Sequence, residues 1–322
     1  MRLPPPRGPL SNWLIVGLRD RSITAAPPIG EDGRPWADED LQLALWCCYE
    51  LHYRGFDEVD PEAEWNPHVL GFRAKLEHCW SGWLQATYWR PVDGKPSQLL
   101  RELIDNDDGP SLAGYLQRHA GLEEFREFVL NRSIYQLKEA DPHSFGIPRL
   151  DGPAKAALVE IQADEYGGGR PDRMHAELFR TTMRWLDLDD TYGRYVPDVP
   201  AVTLALSNLM SYFALHRRWT GALLGHLAAL EMTSTLPNRR YAAGATRLGA
   251  DSAAARYFTE HIEADAVHEQ IAAHDLCDSY ASDHPDAIPD ILFGATCCLA
   301  LDNLFAHQLL DRWQAAPSKV AS

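Results

Sequence analysis

The chain has little positive charge to set against its acids: 30 Lys and Arg face 46 Asp and Glu, for a formal net charge of −16. A surface of that sign repels phosphate backbones and offers no basic stripe for counterion release, so nucleic acid is not an expected partner. The six cysteines, Cys47, Cys48, Cys79, Cys277, Cys297 and Cys298, include no CxxC pair, and several stand in apolar helical runs. They are expected to be reduced, buried thiols of a cytoplasmic protein rather than a disulfide framework. The start, Met1-Arg-Leu-Pro-Pro-Pro, lacks an apolar stretch of signal-peptide length, and no apolar run reaches the ~20 residues a membrane helix needs, so no membrane association is expected. Alternating strand patterns are missing, and so are repeats with a period of about 20 to 50 residues.

What is present is helical periodicity over a chain of 322 residues, 45% of them hydrophobic, which is ample for a buried core. Residues 1–36 are rich in proline and are expected to wrap the body or stay loose without propagating a helix. Residues 37–322 read as a single all-α domain. Apolar residues recur at helical spacing from Asp38 through Leu51, from Pro67 to Trp89, from Pro96 to Ile104, from Ser111 to His119 and from Glu123 to Glu139. Gly152 to Tyr166 follows, and long helices are predicted over Pro200 to Met232, Asp251 to Ser282 and Ile288 to Trp313.

Three segments carry side chains suited to metal. His261, Asp265 and His268 stand at i, i+4 and i+7 of one helix and so share a stripe about 60° wide, at about 100° per residue. Two imidazoles and a carboxylate are a recurring donor set for oxygen-activating ferrous iron. The same residues would also suit a solvated face, because Glu260, Glu263, Glu269 and His274 are close by. Asp172 and His175 add a carboxylate and an imidazole at i and i+3, the one-face spacing that carboxylate-bridged di-iron bundles use. Glu165 precedes them across Gly167-Gly168-Gly169 and Pro171, a run that is either a turn or a mobile break. Glu139, near the end of an apolar helix where the macrodipole disfavours an acid, would supply a further carboxylate. Together these are three histidines and up to four carboxylates, close to the charge that balances two ferrous ions in a buried site.

Arg132-Ser-Ile-Tyr-Gln-Leu-Lys-Glu139-Ala-Asp-Pro-His-Ser-Phe-Gly-Ile-Pro148, Glu160-Ile-Gln-Ala-Asp-Glu165-Tyr-Gly-Gly-Gly and His261-x3-Asp265-x2-His268 together resemble the haem-oxygenase-like di-iron oxidases and oxygenases, often labelled iron-containing redox enzymes. The resemblance covers most of the chain from about Asp38. It implies a haem-oxygenase-like bundle of about seven core helices with extra N-terminal helices, binding no haem but two Fe(II) ions, with O2 as co-substrate and a peroxo-diferric species formed from it. Carried onto this chain, it implies Glu139, Asp172, His175, His261, Asp265 and His268 as metal ligands. The family usually has glutamate where Asp172 stands. Glu165 resembles the extra ligand associated with N-oxygenating members, and is assigned both metal binding and a catalytic role.

The expected function is therefore oxygen transfer to the nitrogen of an amine or amino-acid-derived small molecule in specialised metabolism, with an external electron donor as reductant. The alternatives are oxidative carbon–carbon cleavage of a fatty or amino acid, and a metal-free helical binding protein. A homodimer is the expected assembly. Tyr135 and Tyr166 stand near the proposed ligands and are either hydrogen-bond donors to them or core residues. His143, His216, His226 and His274 have no partner at ligand spacing.

Overall fold

The computed structural model describes residues 1–23, 26–30 and 33–315, and for residues 263–266 the backbone alone. The regular structure of the described residues is entirely helical, with no strand. In chain order they form α1 (Pro9–Arg19), α2 (Glu39–Glu50), α3 (Pro67–Tyr88), α4 (Pro96–Asp105), α5 (Leu112–Arg118), α6 (Leu122–Gln136), the single turn α7 (Asp141–Ser144) and α8 (Gly152–Glu165). Then come α9 (His175–Trp185), α10 (Ala201–Leu215), α11 (Thr220–Arg247), α12 (Arg256–Gln270), the short α13 (Ser279–Asp283) and α14 (Ile288–Ala315).

The N-terminal segment departs from expectation. Its prolines cluster on either side of residues 9–19, and Pro9 falls at the first turn, where a missing N–H costs nothing, so α1 forms between them. The backbone N–H groups of Leu10 and Ser11 each donate to the Asp40 carboxylate at 2.7 Å, so a residue of α2 satisfies the orphan donors of α1. Leu10, Leu14, Ile15 and Leu18 are buried on one face at helical spacing.

Two further boundaries differ from the sequence pattern. The run predicted as one helix from Pro200 to Met232 breaks where His216 is extended (φ −108°, ψ 107°), with no Pro or Gly to announce it. The break lets Trp219 turn inward, 2% exposed, and donate from Nε1 to Tyr212 Oη at 2.7 Å. Beyond it, α11 continues through Pro237 to Arg247, well past Met232. A proline inside a helix forfeits one backbone hydrogen bond. Packing on α5, α12 and α14 holds α11 together across it.

The centre of the bundle is the crossing of α11 and α14. Gly225 and Gly294 sit there against the backbone of the opposing helix, close enough that a Cβ at either position would collide with a carbonyl. The segment Pro285–Ala315 is apolar and long enough to cross a membrane by length and composition (mean hydropathy 1.4), but half of that apolar stretch is buried within the protein, as a core helix requires. On the other side of α11 lies α12, which runs without interruption into a π-helical segment, Ile271–Asp278, packed on α8. Wide π turns shift the phase of the side chains that follow and recur beside functional sites.

Candidate metal centre

Glu139 lies in the turn between α6 and α7 rather than in a helix. Helix α6 ends at Gln136, and Ala140 is left-handed (φ 71°) before Pro142 opens α7. Lys138 is buried toward α2, with Nζ 3.7 Å from the buried Glu50 carboxylate and 4.3 Å from the centre of the Tyr53 ring. The adjacent Glu139 is directed toward α12. Its Oε1 accepts a hydrogen bond from Tyr257 Oη at 2.8 Å and stands 3.6 Å from His261 Nε2.

Helix α8 delivers Glu165 as its last residue, and the chain returns at once to begin α9 on His175. Three left-handed glycines make that return: Gly167 (φ 66°), Gly168 (φ 61°) and Gly169 (φ 78°). Gly167 has a second reason to be glycine, since a Cβ there would stand 2.6 Å from the carbonyl carbon of Arg173 and 2.7 Å from the amide nitrogen of Met174. This close approach brings Glu165 Oε2 to 2.9 Å from His175 Nδ1. The glycine run is thus a folded turn that joins two candidate ligands.

Helix α12 supplies His261 and His268, both buried. His261 Nδ1 donates to the Tyr257 carbonyl at 2.8 Å, which leaves Nε2 facing the cluster. Tyr257 therefore holds two clustered residues, His261 through its backbone and Glu139 through its hydroxyl, as outer partners of metal ligands do. Asp265 stands between the two histidines in sequence, and its side chain lies outside the described residues.

Two donor groups result among the described residues. Glu139, Glu165, His175 and His261 each place a ligand atom within 4.8 Å of all the others, and so do Glu165, Glu231 and His268. Glu165 is common to both. Asp172 joins neither. It is exposed, in a 3₁₀ turn (Pro171–Arg173), and Met174 is non-helical (ψ 131°), so Asp172 and His175 never occupy one helical face. The second group is completed instead by Glu231 of α11, a residue that no ligand motif in the sequence picks out. Its signal there is a lone acid inside the apolar run Leu227-Ala-Ala-Leu-Glu231-Met232, where an unpartnered carboxylate would be costly to bury.

The donor set fits a cation. Glu139 Oε2, Glu165 Oε2 and His175 Nδ1 are buried atoms with no aligned hydrogen-bond partner among the described residues, although the last two face one another. Carboxylates and imidazoles at this separation suit ferrous iron, and Glu139, Glu165 and Glu231 set three negative charges against four from two divalent ions. A described cavity of about 310 Å³ lined by Thr87, Tyr88, Arg90, Val92, Leu292, Phe293 and Thr296 contains none of these residues.

Without metal, protons take its place. Burial pushes the Glu165 carboxyl up, but the charge of His175, with His261 and His268 beyond, outweighs it and holds it at about 2. Burial pushes His268 down, but the hydrogen bonding and charge of Glu231, with Asp164 and Glu165 added, together outweigh it and raise it to about 9. His268 must therefore give up a proton to accept a cation, so loading is favoured as pH rises toward 9 and opposed as it falls. Between pH 6 and 8 metal affinity at the Glu231 group is expected to climb about tenfold per unit, with about one proton released per ion. Anaerobic titration with cobalt(II) at several pH values checks this, and an affinity flat across that range would remove His268 from the ligands.

Of the other residues singled out in the sequence, Tyr166 Oη bonds Asp141 Oδ1 and Ser144 Oγ, each at 3.0 Å, and Tyr135 Oη accepts from the Ala140 amide at 3.5 Å. His143 and His226 meet one another, Nε2 to Nδ1 at 3.2 Å.

The sequence profile of the iron-containing redox enzymes matches residues 126–303, a span that contains every clustered residue and more than half of the chain. Over 159 residues, 49% of this chain, the sequence is 28% identical to the nitrosourea synthase of Streptomyces achromogenes subsp. streptozoticus, and the matched segment spans 34% of that protein. Metal-type donors on an all-α haem-oxygenase-like bundle and the match over residues 126–303 make this chain a member of the iron-containing redox enzyme family, an oxidoreductase.

Proposed function

We propose that this chain is a di-iron enzyme that uses O2 and an external electron donor to oxidise a nitrogen atom of a small amine or amino-acid-derived substrate in natural-product biosynthesis. The observation that carries the reading is the pair of adjoining donor groups joined through Glu165. One group would hold the first ion through Glu139, His175 and His261, the other the second through Glu231 and His268. When bound, two ferrous ions supply the electrons and the open positions with which O2 is activated. The chain's own residues do the rest. Tyr257 fixes the orientation of Glu139 and His261, Glu165 keeps the two groups adjacent, and the buried walls built from α8, α9, α11 and α12 exclude bulk water. Oxidation at nitrogen is favoured over carbon–carbon cleavage by the relative named nitrosourea synthase, whose product carries an N-nitroso group.

The test is to load the purified protein anaerobically with two equivalents of ferrous iron, then add oxygen-18 gas, a reductant and a panel of amines, amino acids and fatty acids. Products that keep their carbon skeleton and carry labelled oxygen on nitrogen are expected. Products short of a carbon fragment would replace this reading with oxidative cleavage, and absence of iron uptake would end both.

A further inference from the structure

Asp164 and Glu165 are consecutive on the last turn of α8, and neighbours on a helix point about 100° apart. Glu165 is buried and shared by the two donor groups, whereas Asp164 is 62% exposed. Asp164 nevertheless reaches inward: its Oδ2 is 3.0 Å from Nε2 of His268, a ring only 1% exposed. The other ring nitrogen, Nδ1, is 3.4 Å from Glu231 Oε2, inside the second donor group. One imidazole is therefore suspended between a surface carboxylate and a site carboxylate.

A ring nitrogen that binds a cation must offer a lone pair, so the N–H of that imidazole has to sit on its other nitrogen and find an acceptor there. We propose that Asp164 is the positioning residue of the second cation site: it accepts from Nε2–H of His268 and so turns the Nδ1 lone pair toward Glu165 and Glu231. The inference rests on the two-site reading above. The alternative ring state places the hydrogen on Nδ1 and donates it to Glu231. That bond would occupy the imidazole lone pair and a carboxylate oxygen at once, the two donors the cation needs. Asp164 competes against it from outside the site, without touching metal. Because Asp164 and Glu165 share one helical turn, a single segment sets the ring orientation of one ligand and supplies another.

The test is anaerobic titration of the intact chain with cobalt(II), counting bound ions by equilibrium dialysis and following cobalt absorption. Wild type is expected to take up two ions. Asp164→Ala should weaken the second by about 10- to 100-fold and leave the first unchanged. Asp164→Asn retains an acceptor oxygen without the charge, and should hold the second ion within a few-fold of wild type. Glu160→Ala removes the same charge from an exposed position one turn earlier and should change neither site. The proposal is overturned if Asp164→Ala binds both ions like wild type, if it weakens both equally, or if Asn is as damaging as Ala, which would make bare charge the cause. Uptake of only one ion by wild type would instead overturn the two-site reading itself, an outcome separate from any effect of the variants.

Discussion

Replacing Glu165 with alanine is expected, on the two-ion reading, to reduce tight metal uptake from two ions per chain to at most one, a larger effect than losing Glu139 or Glu231. The reason is geometric. Glu139 belongs only to the group with His175 and His261, and Glu231 only to the group with His268, but Glu165 belongs to both. Its removal leaves the first group with one carboxylate and two imidazoles, enough for one ferrous ion, but the second with only one of each, too few to hold an ion tightly. The substitution also abolishes the 2.9 Å approach to His175, so that ring loses the neighbour whose charge keeps its pKa raised. Glu165→Gln preserves the shape without the charge and should retain one weakly held ion. Metal counting by mass spectrometry of protein loaded and desalted under nitrogen decides the matter. Two tightly bound ions in the alanine variant would remove Glu165 from the site.

The second large effect belongs to a residue with no donor atom in its side chain. Gly167→Ala should destabilise the chain by about 2–5 kcal/mol, combining the left-handed backbone, which costs an L residue about 1–2 kcal/mol, with the overpacking of a Cβ pressed into the next segment, about 1–3 kcal/mol. The collision is with the backbone of Arg173 and Met174, immediately before His175, so the ends of α8 and α9 must part if the chain folds at all. Gly168 and Gly169 share the positive φ, but a Cβ at either would meet nothing within 4 Å, so alanine there should cost only the backbone share, about 1–2 kcal/mol. Urea unfolding of the three variants separates strain from contact, and equal losses at all three positions would show that the close approach has no energetic weight.

These two residues mark how far the chain could be read in advance. The helical character follows from apolar periodicity, and Glu139, Glu165, His175, His261 and His268 stand in segments whose composition already drew attention. The remainder depends on what meets across the fold. Asp172 and His175 read as one helical face by their i, i+3 spacing, whereas Pro171–Arg173 is a 3₁₀ turn followed by a non-helical Met174. Glu231 has no partner at ligand spacing. It meets His268 only because α11 packs along α12, an encounter written in the apolar faces of two helices rather than in any motif. Gly167 showed a helix break but not its purpose, since the peptide it accommodates comes six residues later. The break at His216 had no local signal, because burial of Trp219 determines it.

The donors are gathered from the turn after α6, from the end of α8, the start of α9, the middle of α11 and two positions on α12, His261 and His268. Among the described residues no pair of neighbouring helices contains a complete set, so on the two-ion reading each site is complete only after the distant segments have docked, and from then on each bound ion would tie their separation to its own release. Cellular iron supply would accordingly set the lifetime of the folded enzyme as well as its activity, since ligand binding confined to the native state draws population away from the unfolded chains that proteases recognise.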